Sequence, residues 1–199
     1  MKIGIYGGSF DPIHIGHLII VERFIEILNL NKCLFIPSFI SPFKAEENAN
    51  ISAETRLEIL KLATESNPAF EIEDYEINRR EISYTIDTLL YLQSKYPDSE
   101  LFLLIGSDQA RDFHKWKNFQ DIMSIANICI ARRILNYDIN IFPFELYLNQ
   151  KSKQIIKLNT PIIEISSTEI RERIKEGRSI KYMLTPSVYN YISENNIYK

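Results

Sequence analysis

The chain has 199 residues, a formal charge of −3, 45% hydrophobic and 25% charged side chains. That length can bury a substantial core without disulfide staples. The charge balance excludes a broad basic face for nucleic acid or a membrane surface, so any anionic ligand must be held by a local cluster of donors. Cys33 and Cys129 lie in apolar runs without CxxC or metal spacing, which predicts small buried core residues in a reducing compartment. No apolar run approaches the ~18 residues of a membrane span. Gly4, Gly7 and Gly8 stand too early for a signal peptide. The chain reads as soluble and cytoplasmic.

Apolar runs and helical patterns alternate from the start. KIGIYG predicts a buried strand reaching a glycine turn, after which Asp11 suits an N-cap and Pro12 the first helical position. His17, Ile20, Val21, Phe24, Ile27 and Leu28 follow at helical spacing. KCLFIP predicts a second strand, SFISPFKAEENANIS a loop, and Ser52 opens the amphipathic helix SAETRLEILKLATES. FEIEDYEI reads as a strand, TIDTLLYLQSKY as a helix with Thr85 as its N-cap. ELFLLIGSD and ANICIARR are further strands, TPIIEI a last one. SSTEIRERIKEG closes the pattern as a helix, with a capping box of Ser166 and Glu169 and a stop at Gly177. In 134–160 strand and helix cues conflict.

Unalternating strands separated by helices predict an α/β fold: a Rossmann-like, doubly wound parallel sheet covered on both faces. We expect one domain over 1–199, with 165–199 as a small C-terminal helical portion. In such a sheet ligands bind beyond the carboxyl ends of the strands. Three motifs fall on that edge: GGSFDPIHIGH after the first strand, IGSD after the fourth and ISSTEIR after the last.

The glycine turn does not fit a dinucleotide fingerprint, and no G-x-x-x-x-G-K-[ST] occurs, so hydride transfer and P-loop chemistry are disfavoured. Gly7 and Gly8 instead leave backbone amides open to a ligand beside the positive end of a helix. His14 and His17, three apart, project from one side of that helix, where imidazoles donate to phosphate oxygens. The arrangement predicts a triphosphate seat. Trp116, the single tryptophan, stands in the polar stretch DFHKWKNF, where core packing is less natural than stacking on a ligand ring. His114 has no motif around it and is expected to be exposed.

The tetrapeptide 14-HIGH-17 is also the signature of class I aminoacyl-tRNA synthetases, relatives within one nucleotidylyltransferase superfamily. GGSFDPIHIGH, SYTIDTL at 83–89, IGSD at 105–108 with Trp116, and ISSTEIR at 165–171 occur in the order typical of bacterial nicotinate-nucleotide adenylyltransferases. The ending PSVYNYISENNIY is similar to that family's as well, so the resemblance spans residues 3–198. GGSFDPxHxGH alone is shared with pantetheine-phosphate adenylyltransferase; SYTxDTL with the G-x-D…W segment narrows the resemblance.

The resemblance implies transfer of the adenylyl group of ATP to nicotinate mononucleotide, giving deamido-NAD and pyrophosphate, with Mg²⁺ accompanying the triphosphate and no dedicated protein metal site. It implies an ATP site of Gly7, Gly8, Ser9, Phe10, His14, His17, Gly106, Asp108, Ile165, Ser166, Ser167, Thr168 and Arg171. His14, His17, Lys44 and Arg171 would act on the reacting phosphates. Lys44, Tyr84, Thr85, Trp116 and Arg133 would hold the mononucleotide, with Arg132 an alternative to Arg133. The family segment after the second strand usually ends Pro-Pro-His-Lys or Pro-Pro-His-Arg; here 41-SPFK-44 puts Phe43 at the histidine position, so one phosphate donor is missing.

The open alternatives are an adenylyltransferase for nicotinamide mononucleotide or phosphopantetheine, and a non-catalytic nucleotide sensor of the same fold. The absence of a KMSKS loop and of a basic face argues against a tRNA synthetase. Expected partners are ATP and nicotinate mononucleotide, with no nucleic acid and no membrane; the expected state is a monomer or small homo-oligomer.

Overall fold

A computed structural model of the chain describes residues 1–42, 50–132, 147–148 and 152–199. Its strands are β1 Lys2–Gly8, β2 Lys32–Pro37, β3 Phe70–Ile72, β4 Glu100–Gly106, β5 Ala126–Ala131 and β6 Ile155–Leu158. They form one sheet in the order β3-β2-β1-β4-β5-β6, every neighbouring pair parallel. Its helices are α1 Ile15–Leu28, α2 Ala53–Thr64, α3 Tyr75–Arg79, α4 Thr85–Lys95, α5 Ser107–Arg111, α6 Phe119–Ile125, α7 Ser167–Lys175 and α8 Pro186–Glu194, with a 3-10 turn at Phe113–Lys115.

The strands lack polar alternation because both faces are buried. Successive side chains point to opposite faces. Ile3 and Ile5, Leu34 and Ile36, and Leu101, Leu103 and Ile105 pack with Leu89 and Leu92 of α4 and Ile122 of α6. The intervening Cys33, Phe35, Phe102, Leu104 and Cys129 pack with Phe24 of α1, Ile59 and Leu60 of α2, Ile170 of α7 and Val188 of α8. The residues of 165–199 thus share a core with the first half of the chain. Phe24 has no exposed surface, and truncating such a ring to Ala costs about 3–5 kcal/mol. Cys33 and Cys129 are free, buried thiols, as their apolar runs predict; burial pushes the Cys129 thiol up to about 12.

Four local expectations differ from the structure. Asp11 is not the cap of α1: the helix begins at Ile15 with His14 as N-cap, because Asp11 and its neighbours are held by other elements. FEIEDYEI is strand only over Phe70–Ile72, and Tyr75–Arg79 turns into α3. Thr85 is the first residue of α4 and Tyr84 its cap. The last strand is not TPIIEI but the preceding Ile155–Leu158, which pairs with β5 from Ile128 to Ala131. Short apolar runs fit either neighbouring register, and pairing selects between them. The cap of α7 follows the sequence: Ser166 accepts from the Glu169 backbone N–H at 3.1 Å, and Gly177 adopts φ +68°.

The sheet order reverses at β1, which lies between β2 and β4. Where connections leave in opposite directions a crevice opens beyond the strand ends. That places the tips of β1 and β4, Gly8 and Gly106, at the mouth of the cleft.

Candidate active site

The cleft beyond these tips encloses about 410 Å³. At its floor β1 runs out through Gly7, where an added Cβ would meet nothing within 4 Å. The backbone there faces open space. Residues Ser9 to Ile13 then loop to the cap of α1.

His14 and His17 stack with ring centroids 3.6 Å apart and planes inclined by 27°. The His14 backbone N–H donates to His17 Nδ1 at 3.2 Å. In a neutral His17 ring the proton therefore sits on Nε2, which makes that nitrogen the donor. His14 is buried, 4% exposed, while His17 is half-buried between Tyr6 and Phe10. Gly16 explains the small residue between them: a Cβ there would lie 3.0 Å from His14 Nδ1. A side chain there would press the His14 ring and Ile163 aside by a few tenths of an ångström, so glycine suits the position.

The second contributor is the start of α7. Ser167 Oγ donates to the Pro12 carbonyl at 2.8 Å, across 155 residues of sequence. Arg171 Nη1 donates to the Asp11 carbonyl at 2.6 Å and Nη2 to Thr168 Oγ1 at 3.2 Å. The β1–α1 loop and the late serine-rich turn are thus one hydrogen-bonded unit. Gly7, Gly8, Ser9, Phe10, His14 and His17 line one side of the cleft; Ile165, Ser166, Ser167, Thr168 and Arg171 line the other. Backbone amides, imidazoles and a guanidinium converge there on a space with the chemistry of a polyanion seat.

Gly106 and Asp108, at the tip of β4 and the start of α5, also line the cleft, as do Arg132 and, toward α4, Thr85 and Trp116. Trp116 is half-buried, its ring 5.1 Å from that of Phe113. Tyr84 does not line the cleft; its ring lies under Lys117 Nζ at 4.2 Å. His114 is exposed, as expected. Lys44, Arg133 and Phe43 fall outside the described residues.

Three residues at the site escaped sequence reasoning. Arg56 of α2 is 2% exposed and donates to the carbonyls of Ser9 at 2.5 Å, Ser38 at 2.6 Å and Phe39 at 3.2 Å. It joins the ends of β1 and β2. Burial lowers its pKa, and the charge of Asp11 opposes that shift. The available signal was an arginine three and four residues before Ile59 and Leu60, on the apolar stripe of its helix. Glu76 of α3 lines the cleft beside Thr85 and accepts from Thr88 Oγ1. Burial raises its carboxyl pKa, while hydrogen bonds from Thr88 and Ser83 pull the other way. Asp11 lines the cleft as well, and local sequence offers only its capping role.

Residues 5–173 match the cytidylyltransferase-like family model. The sequence is 41% identical over 198 residues to "Probable nicotinate-nucleotide adenylyltransferase" of Hydrogenobaculum sp. (strain Y04AAS1), covering 100% of this chain and 98% of that one. It is 43% identical over 199 residues to the protein of the same name from Dictyoglomus thermophilum, covering 100% of both. Among solved structures, Plasmodium falciparum nicotinic acid mononucleotide adenylyltransferase complexed with NaAD shares the fold: TM-score 0.80, 21% identity, 99% of this chain and 97% of that one. The match over nearly the whole chain, on a doubly wound sheet whose motifs meet at one cleft, shows that the chain belongs to the cytidylyltransferase-like family and, within it, to the nicotinate-nucleotide adenylyltransferases.

Proposed function

We propose that the protein transfers the adenylyl group of ATP to nicotinate mononucleotide, releasing pyrophosphate and forming deamido-NAD. The observation that carries this reading is the convergence of the stacked histidine pair and the α7 start on one cleft. Full-length relatives above 40% identity that bear the matching name support it.

The attacking group is a phosphate monoester whose second pKa is about 6, so it arrives as a nucleophile and needs no general base. Its oxygen bonds to the α-phosphorus of ATP as the bond to the bridging oxygen breaks, and the electron pair leaves with pyrophosphate. The protein's work is alignment and stabilisation of charge developing on the leaving oxygens. Gly7, Gly8, Ser9 and Phe10 offer their backbone to the α-phosphate. His17 donates through Nε2, with His14 stacked behind it. Ser166, Ser167 and Thr168 face the β- and γ-phosphates with the amides of the α7 start, and Arg171 adds positive charge. Asp108 accepts from ribose hydroxyls beside Gly106. Trp116 stacks on the pyridine ring, and Thr85 with its neighbouring amides receives the carboxylate. Lys44 and Arg133 complete the set at the mononucleotide phosphate.

Mg²⁺, entering with ATP, would neutralise charge on the triphosphate. Among the described residues no group of three or more His, Cys, Asp or Glu could hold a metal ion, so its ligands would be mainly phosphate oxygens and water. Buried free thiols suit a reducing, cytoplasmic setting. The whole of 1–199 acts as one functional domain in this reading, as a monomer or small homo-oligomer.

Pyrophosphate release from ATP with the acid or the amide mononucleotide tests the proposal. Turnover with the acid form is expected. Turnover with the amide alone would reassign the substrate, and ATP binding without turnover on either would mark a sensor.

A further inference from the structure

The loop between β1 and α1 is held at three of its backbone carbonyls by side chains from remote elements. Arg56 takes the Ser9 carbonyl, Arg171 the Asp11 carbonyl and Ser167 the Pro12 carbonyl. Between them Phe10 sits at φ +47°. A non-glycine residue in that region is strained and persists only where its surroundings over-determine it. The ties on the neighbouring carbonyls supply that determination.

The Asp11 side chain poses a separate electrostatic problem. It is a carboxylate lining a cleft built for a polyanion. Like charges within a few ångströms disfavour binding unless the oxygens are engaged elsewhere. Both are. Tyr198 Oη donates to Asp11 Oδ1 at 2.7 Å, across 187 residues of sequence, and Asn50 Nδ2 donates to Oδ2 at 2.8 Å. The first is a charge-assisted O–H···O⁻ bond. The two bonds come from a loop residue before α2 and from a residue beyond α8. Tyr198 is itself 8% exposed, packed in the core cluster that contains Phe10 and Ile13. Burial, followed by the charge of Asp11, pushes its phenol pKa up, so the hydroxyl keeps its proton and remains a donor.

We infer that Tyr198 is a positioning residue for nucleotide binding: its hydroxyl holds the Asp11 carboxylate in place and thereby keeps the phosphate-facing loop in its binding shape. The inference rests on the reading of this cleft as the ATP site. Tyr198 touches no substrate in this scheme and acts through Asp11 alone.

Tyr198→Phe removes only the hydroxyl and keeps the buried ring. We expect ATP affinity, read by calorimetric titration without mononucleotide, to weaken about tenfold, the loss of roughly one charge-assisted bond. The KM for the mononucleotide should stay within about twofold, and the melting temperature near that of the parent, because ring packing is intact. Asn50→Ala, on the other oxygen and at an exposed position, should weaken ATP binding in the same direction but less. In an Asp11→Asn background, with no charge left to restrain, Tyr198→Phe should cost much less than alone, a non-additive pair. A Tyr198→Phe protein that binds ATP like the parent overturns the inference, as does one in which ATP and mononucleotide affinities fall together. If the parent protein itself fails to bind ATP, the functional reading falls and the inference with it. If the parent turns over and Tyr198→Phe matches it, only the inference falls.

Discussion

The two ends of the cleft are built differently. At the end formed by the β1–α1 loop and α7, polar groups are tied to backbone carbonyls or capped by buried partners: Arg56, Ser167 and Arg171 each grip the loop, and His14 is almost fully buried. At the end formed by α4 and the Trp116 loop, half-exposed groups are joined by looser ion pairs: Arg79 and Lys117 reach Asp87 at 3.4 and 3.8 Å, and Lys117 covers Tyr84. Charge stabilisation of a leaving group needs donors fixed before the reaction, because reorganising them would consume what they gain. Recognition of a flat ring tolerates adjustment, since stacking depends on area more than on exact angle. In the proposed reaction, the stiffer end is the one that would face the developing charge.

The sharpest test of that contrast is His17→Ala. Removing one preorganised donor should lower kcat for pyrophosphate release about 10²- to 10³-fold, with little change in a thermal melt, because His17 is only half-buried. His14→Ala, at 4% exposed, should lose stability together with turnover. Equal small effects at both histidines would erase the contrast. Next comes Arg56→Met, which leaves the Ser9, Ser38 and Phe39 carbonyls without their donor. A loss of about 3 kcal/mol in chemical denaturation is expected. A variant of parental stability would show that the loop does not depend on this arginine.

At the softer end, Trp116→Ala should raise the mononucleotide KM about tenfold while ATP binding holds. If it melts the protein instead, Trp116 belongs to the core alongside Phe113. The smallest effect concerns Glu76. Its folded pKa lies above the ordinary 4.5, so its contribution to stability is fully present below that value and is lost as pH rises through the folded pKa. Glu76→Gln stays neutral, so denaturation curves across that window should move in the variant's favour as pH increases. A difference constant with pH would mean that the Thr88 and Ser83 hydrogen bonds cancel the burial.

Which parts of this were legible beforehand follows from the range of the interactions. The Ser166 cap and the stop at Gly177 depend on neighbours within four residues, and the sequence predicts them; it places His14 on the helix beside His17, whereas His14 is the extended cap ahead of α1. Strand identity was legible where a run was long, as in β4 and β5. It failed at TPIIEI, where the ladder with β5 is made one short segment earlier. Asp11 reads as a helix cap because its local context offers no other role. Its partners are Asn50 and Tyr198, 39 and 187 residues away, and no local pattern names them.

The sequence by itself determined the doubly wound α/β fold, the family, and the chemistry of the donors gathered at the strand ends, because periodicity, capping and glycine turns act over short distances along the chain. Only the tertiary structure decided which side chains hold those donors still. Arg56, Glu76 and Tyr198 acquire their partners when β1 meets β2, α3 meets α4, and the segment after α8 returns to the first loop. A hydrogen bond across a fold is fixed by packing geometry, which a linear pattern does not record.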